Sequence, residues 1–280
     1  MINSQSAPDL PDELANKYQT LCSTIAQLGR LAIAFSGGVD STLLLKVAHD
    51  TLGDDALAIT ANAQMIPARE IREATEFCQQ QGIRHIVMDV DALSIDGFAT
   101  NPTNRCYICK TALFSSIMQK AAEQGFHHVA EGTNTSDLGD YRPGLKALNE
   151  LSVESPLLQS GLSKADVRAL SHALGLPTWN KPSYACLASR VPYNEPITAS
   201  TLAAVEAAED ALIAAGFEQV RCRAHGTLAR IEVPPSQRVS LMQAFAESNL
   251  AERIRAAGFN YVAVDSEGYQ SGSLNRTIKQ

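Results

Sequence analysis

LAIAFSGGVDS, Leu31 to Ser41, joins an apolar run to a small polar turn and leads into a second apolar run. Leu31, Ala32, Ile33, Ala34 and Phe35 have the length and composition of a buried parallel strand. A helix is expected to begin near Asp40 or Ser41, both good capping residues, and to continue through Leu43, Leu44, Leu45, Val47 and Ala48. Ser36, Gly37 and Gly38 connect the two. Paired glycines permit positive φ and close backbone approach, so successive amides can converge on an anion at the helix N-terminus. The chemistry implied is phosphate binding. No Lys-Ser or Lys-Thr pair follows the glycines, and their spacing is not that of a dinucleotide fingerprint.

SGGVDS resembles the loop of the PP-loop ATP pyrophosphatases, which cleave ATP into AMP and pyrophosphate. The remaining composition is that of a globular protein. The 280 residues are 45% hydrophobic, enough for a large α/β domain and a smaller one. Thirty acidic against 23 basic residues give a net charge of -7, which argues against a broad nucleic-acid or anionic-membrane surface. No apolar run has the length of a membrane helix, and MINSQSAPDLPDE is too polar and acidic for a signal peptide, so a cytoplasmic protein is expected.

Residues 1–9 read as disordered. Leu14, Tyr18, Leu21, Ile25 and Leu28 then recur at helical spacing. Strands are predicted over 56–60, 84–90 and 128–130, and helices over 68–81, from the stretch 101–110 (NPTNRCYICK) to about 124, and over 163–174, the last opening with a Ser163-x-x-Asp166 capping pattern. This alternation predicts an α/β fold with a doubly wound parallel sheet whose ligands bind beyond the strands' C-terminal ends. Residues 131–144 (EGTNTSDLGDYRPG) read as a polar loop at that edge, closed by a Pro-Gly turn; Asp140, Tyr141 and Arg142 suit that turn as well as ligand contact. Four prolines between 177 and 196 mark an irregular connector. The domains are accordingly set at 1–193 and 194–280.

The second domain carries a weak repeat, in which helices of about 201–215 and 240–257 each end in AAGF and enter an apolar strand. Between them, 220–224 and 229–233 alternate like hairpin strands, placing Arg221 and Arg223 opposite Val220 and Cys222, and Arg230 with Glu232. Such a group can form an anion clamp or an ordinary solvated sheet face.

Cys106 and Cys109 form a C-x-x-C at a helix start, where the dipole favours thiolates. Two ligands of zinc, a thioredoxin-like pair and a purely structural pair all fit this spacing. With Cys186, in the polar stretch SYACLASR, the pair would supply three ligands; an iron-sulfur cubane held by three cysteines keeps one iron open to an exogenous group such as hydrosulfide. Cys22 and Cys78 lie beside helical apolar stripes and read as core residues.

SGGVDS, NRCYICK, EGTN-x-x-D, DYRPG, WNKP, ACLASRVPY and ARIEVP occur in that order over nearly the whole chain. Together they resemble the LarE family of sulfur transferases. The resemblance implies ATP-dependent conversion of the carboxylates of pyridinium-3,5-biscarboxylic acid mononucleotide to thiocarboxylates, during synthesis of the nickel-pincer nucleotide cofactor of lactate racemase. The family has a version with one sacrificial cysteine and a version whose three cysteines hold a [4Fe-4S] cluster. With Cys106, Cys109 and Cys186 present, the chain resembles the second.

The resemblance further implies ATP and pyrophosphate binding by Ser36, Gly37, Gly38, Asp40, Ser41, Gly132 and Asp137, with Asp40 and Asp137 as magnesium candidates. Ser189, Arg190, Arg221 and Arg223 would grip the substrate phosphate, supported by Glu209 and Glu232. The expected partners are a mononucleotide substrate and sulfide or a sulfur donor, with no nucleic acid or membrane, and a homo-oligomer is implied. Two alternatives stand beside this: a tRNA thiolase of the same superfamily, and a non-catalytic ATP-binding redox sensor.

Overall fold

The computed structural model describes residues 10–139, 143–270 and 272–273. The chain divides into two compact units, one formed by Met1–Asn62, Ala68–Val90 and Cys106–Ser183, the other by Ala63–Pro67, Asp91–Arg105 and Tyr184–Gln280. The first unit runs α1 (Asp12–Leu28), β1 (Leu31–Ala34), α2 (Val39–Leu52), β2 (Ala56–Ala63), α3 (Ala68–Gln81), β3 (Arg84–Val90), α4 (Arg105–Glu123), β4 (His128–Ala130), α5 (Pro143–Glu150), α6 (Pro156–Gln159) and α7 (Lys164–Ala173). The strand order is β3-β2-β1-β4, and β1 pairs in parallel with both β2 and β4.

Alternation along the strands builds a core on each face of the sheet. Leu31, Ile33, Ala56 and Ala58 join the cluster of Leu21, Ile25, Leu44, Phe77 and Val167, contributed by α1, α2, α3 and α7. Ala32, Leu57 and Ile59 turn to the opposite cluster with Phe114, Ile117, Ala121 and Leu148, contributed by α4 and α5. The sheet is therefore covered on both faces, which explains why β1 and β2 read as nearly continuous apolar runs. Because β2 lies on one side of β1 and β4 on the other, the loops leaving β1 and β4 diverge at the switch point of the sheet.

Two local expectations change. Helix α2 begins at Val39 with Gly38 as its cap and no side-chain cap bond, because the Asp40 and Ser41 side chains have other partners. Pro143 is the first residue of α5 and so opens a helix instead of closing a loop, a position where proline's fixed φ and missing amide are tolerated. Asp140, Tyr141, Arg142 and residues 1–9 lie outside the described residues.

The second unit contains α8 (Ala199–Ala214), β5 (Arg221–His225), β6 (Leu228–Glu232), α9 (Arg238–Glu247), α10 (Leu250–Ala256) and β7 (Tyr261–Val264). Its sheet order is β5-β6-β7, with β5 and β6 antiparallel and β6 and β7 parallel. The single helix expected over 240–257 is broken: Ser248 is extended at φ -138 and ψ 175, and its hydroxyl accepts the Leu250 amide to start α10. Asn101, at φ 57 and fully buried, fixes part of the connector by donating to the carbonyls of Pro192 (2.7 Å) and Glu195 (3.0 Å).

The capping box of α7 is complete, with the Ser163 hydroxyl accepting the Asp166 amide and the Asp166 carboxylate accepting the Ser163 amide. Ser163→Ala should destabilise the first unit by about 1 kcal/mol, measured as a lower urea midpoint at unchanged m-value.

Candidate functional site

The SGGVDS loop is held open by its own hydroxyls. Gly37 takes φ +69, a conformation that favours glycine, and Gly38 returns the chain to extended geometry before the first turn of α2. Ser41 Oγ accepts the Ser36 amide at 3.3 Å, donates to the Gly38 carbonyl at 3.2 Å and lies 3.1 Å from Ser36 Oγ. With no side chain capping α2, the amides of its first turn and the positive end of its dipole are left for an anion.

The loop after β4 packs directly on this turn. A Cβ on Gly132 would stand 3.0 Å from both the Ser41 amide nitrogen and Asp40 Cβ, so the close approach requires glycine. Buried Glu131 orders that loop by accepting from the Thr133 amide and hydroxyl and from the Ser155 hydroxyl. Asn134 Nδ2 donates to Asp40 Oδ1 at 3.1 Å, and Lys164 Nζ, on the first residue of α7, donates to Asp40 Oδ2 at 2.5 Å. The Asp137 carboxylate accepts the Asn134 amide at 3.0 Å. Thus Ser36, Gly37, Gly38, Asp40, Ser41, Gly132 and Asp137 all belong to two adjoining loops of one unit. Magnesium commonly takes one or two carboxylates, with phosphate oxygens and water completing its shell, and Asp40 and Asp137 suit that requirement.

Two lysines of this site were not identified as functional in the sequence. Lys164 occupies a helix N-terminus, where a cation is unfavourable without an acidic partner, and that is the signal it carried. Lys181, quoted only within WNKP, donates to Gly37 O and to the carboxylates of Glu70 and Glu73.

In the second unit the arginines are not on a solvated sheet face. Arg190 is fully buried, Arg221 is 2% and Arg223 5% exposed. Arg190 makes a two-pronged pair with Glu209 (2.8 and 2.9 Å) and donates through Nη1 to the carbonyls of Ala185 and Cys186 and to Ser189 Oγ. Arg190 thus shapes the Cys186 turn, and Glu209 also accepts the Cys222 amide. Arg221 lies over the Tyr269 ring at 5.0 Å and donates to the Val220 carbonyl. Burial and then the neighbouring Arg190 charge hold the Arg221 guanidinium below the usual arginine range.

Hairpin register sets Arg223 opposite Arg230 across β5 and β6. That like-charge pair is reconciled by Glu232, which accepts Arg223 at 2.8 Å and Arg230 at 3.2 Å, while Asp265 takes the other arm of Arg230. Arg223 also donates to the Ser189 carbonyl and Ser273 Oγ, but its buried Nε has no hydrogen-bond partner among the described residues. Ser189, Arg190, Arg221, Arg223, Glu209 and Glu232 are therefore brought together. Among the described residues, Glu209 pairs with Arg190, Glu232 with Arg223 and Arg230, and Asp265 with Arg230, while the charges of Arg190 and Arg223 bear on Arg221; guanidiniums clustered in this way suit an anionic ligand.

The six cysteines divide by environment. Cys78 and Cys222 are buried, and burial pushes the Cys78 thiol up to about 12 and raises the Cys222 thiol as well. Half-buried Cys22 is also raised by burial. Cys106 and Cys186 are exposed and Cys109 partly so. Cys106 and Cys109 share the first turn of α4 in the first unit; Cys186 precedes the short Leu187–Arg190 turn in the second. Among the described residues, no three His, Cys, Asp or Glu side chains gather into a metal-holding group. The accessible donor set of three thiols, two of them at a helix N-terminus, fits the chemistry of iron-sulfur ligation.

The family model of the queuosine biosynthesis protein QueC matches residues 30–104. A pyridinium-3,5-bisthiocarboxylic acid mononucleotide synthase of Lactiplantibacillus plantarum is 38% identical over 266 residues, covering 95% of this chain and 96% of that protein. The chain belongs to the LarE family of sulfur transferases. An uncharacterised Synechocystis protein, 43% identical over 95% of this chain and 99% of its own length, extends the LarE likeness. A Methanocaldococcus jannaschii protein is 25% identical over 86% of this chain and 91% of its own length. As a LarE-family member of the PP-loop superfamily, the enzyme has ATP and magnesium binding implied by its family. No helix among the described residues is long and apolar enough to cross a membrane.

Alkylation at about pH 8 should label Cys106 and Cys186 and spare Cys78 and Cys222, whose burial keeps the nucleophilic thiolate scarce; peptide mass mapping of the native protein reads this directly.

Proposed function

We propose that the enzyme adenylates a carboxylate of pyridinium-3,5-biscarboxylic acid mononucleotide and converts it to a thiocarboxylate, a step in making the nickel-pincer nucleotide. The observation that carries this reading is the group of buried guanidiniums in the second unit, with Arg223 Nε left without a hydrogen-bond partner among the described residues, because the phosphate of a mononucleotide is an acceptor for such donors. The near full-length likeness to a synthase of the bisthiocarboxylate supports the choice of substrate.

A carboxylate resists nucleophiles because it is already anionic and has no adequate leaving group. Attack of its oxygen on the α-phosphorus of ATP forms one P–O bond, breaks the bond to pyrophosphate and gives an acyl adenylate. Ser36, Gly37, Gly38 and Ser41 would receive the departing pyrophosphate through backbone amides and hydroxyls already oriented. Magnesium, held by Asp40 and Asp137, would supply charge neutralisation at the phosphates. Hydrosulfide then attacks the acyl carbon, the C–O bond to AMP breaks, and the proton of hydrosulfide passes to water. Arg221 and Arg223 would grip the substrate phosphate, with Ser189 beside them, Glu209 and Glu232 orienting the guanidiniums, and Arg190 holding the Cys186 turn.

Cys106, Cys109 and Cys186 are proposed as ligands of a [4Fe-4S] cluster, which when held by three cysteines supplies an iron open to exogenous sulfide. Exposure of Cys106 and Cys186 leaves these thiols accessible to such a group.

Pyrophosphate release from ATP should depend on the dicarboxylate mononucleotide. Arg223→Ala should raise KM for that substrate by about tenfold to hundredfold while leaving ATP affinity unchanged. Release that ignores the mononucleotide, or an unchanged KM in the variant, would contradict the assignment.

A further inference from the structure

We propose that Lys181 is a positioning residue of the phosphate loop: it offsets the charge of Glu70 and Glu73 beside Gly37 and holds the Gly37 carbonyl, leaving the loop amides free for the phosphates of a nucleoside triphosphate. The inference rests on the reading of SGGVDS as a nucleotide loop. It adds a residue that belongs to neither the loop motif nor the second-unit arginine cluster.

The loop lies against the start of α3. A Cβ on Gly37 would meet Ala74 Cβ at 3.4 Å and the Glu70 carbonyl at 3.5 Å. That same helix start presents Glu70 and Glu73, so two carboxylates stand beside a loop that must accept a polyanion. Lys181 Nζ donates to Gly37 O at 3.0 Å, Glu70 Oε2 at 2.8 Å and Glu73 Oε2 at 2.7 Å. Three ammonium protons match three acceptors, so the amine reaches no phosphate in this arrangement. It acts through the loop.

The environment makes this arrangement matter. The Lys181 and Glu70 side chains are 12% and 9% exposed, and Glu70 Oε1 is buried without a hydrogen-bond partner among the described residues. Water therefore screens the Glu70 charge poorly, and Lys181 is the cation bonded to it. The backbone that carries the lysine is held in place: Arg168 donates to the carbonyls of Trp179 at 2.8 Å and Lys181 at 3.0 Å. Fixing the Gly37 carbonyl also fixes the left-handed turn at Gly37, which determines where the following amides point.

The test is calorimetric titration of magnesium ATP and magnesium pyrophosphate into the full chain, in wild type, Lys181→Met, Glu70→Gln/Glu73→Gln and the triple variant. Lys181→Met should weaken both ligands by about tenfold or more, since it leaves carboxylates uncompensated next to the phosphates. In the Glu70→Gln/Glu73→Gln background the same change should cost less than about threefold, because the charge to be cancelled is gone. This second comparison stands even if Lys181→Met alone folds poorly. Unchanged affinity in Lys181→Met, or an equal loss in both backgrounds, overturns the inference while wild-type binding still supports the nucleotide loop. Failure of the wild type to bind either ligand overturns the nucleotide-loop reading and the inference with it.

Discussion

Asp40 stands in the first turn of the helix that is to receive a polyanion, and the first unit is arranged around that conflict. A carboxylate there repels phosphate unless a cation accompanies it, and Lys164 does so from the start of α7. Glu70 and Glu73 pose the same problem on the other side of the loop and are met by Lys181. The first unit thus offsets acidic charge near the loop with two lysines. The second unit instead buries a cluster of guanidiniums, with Arg190 and Arg223 tied to Glu209 and Glu232. One arrangement removes obstacles to a phosphate chain; the other gathers donors suited to an anion.

Much of the scaffold was legible because strand and helix periods are local properties. Leu31 to Phe35, Ala56 to Thr60 and Arg84 to Val90 each declare a strand, and the alternation of Leu31 and Ile33 with Ala32 already contains the two faces of the sheet. The break at Ser248 was not legible because a serine inside an apolar helical pattern is compatible with either continuation or a cap. The start of α2 at Val39 was missed for a tertiary reason, since the side chains that would have capped it are taken up by Ser36, Asn134 and Lys164. The two short inserts of the second unit, Ala63–Pro67 and Asp91–Arg105, depend on long-range contacts that no local pattern encodes.

The site was legible as a set of residue types and much less as a set of roles. Arg221 and Arg223 could be placed on one strand face, but period two cannot say whether that face is wet or buried. Their burial turns a surface charge pattern into a ligand requirement. Arg190 was grouped with them by resemblance, whereas its contacts with Ala185, Cys186, Ser189 and Glu209 bind it to the protein itself and make it the organiser of the Cys186 turn. Lys164 lies outside the motifs and Lys181 sits in WNKP without a role of its own there, because their meaning comes from the carboxylates they meet.

The cysteines hold the central claim, that sulfur reaches the activated carboxylate from outside the polypeptide. Three thiols are withdrawn into apolar surroundings or raised by burial, and the remaining three are the accessible ones. The direct measurement is anaerobic reaction with ATP, magnesium, the dicarboxylate mononucleotide and sulfide, followed by a count of thiocarboxylate formed per chain and intact-mass analysis of the protein. The account predicts several products per chain, with Cys186 unchanged in mass. One product or fewer per chain, with Cys186 converted to dehydroalanine, would contradict it.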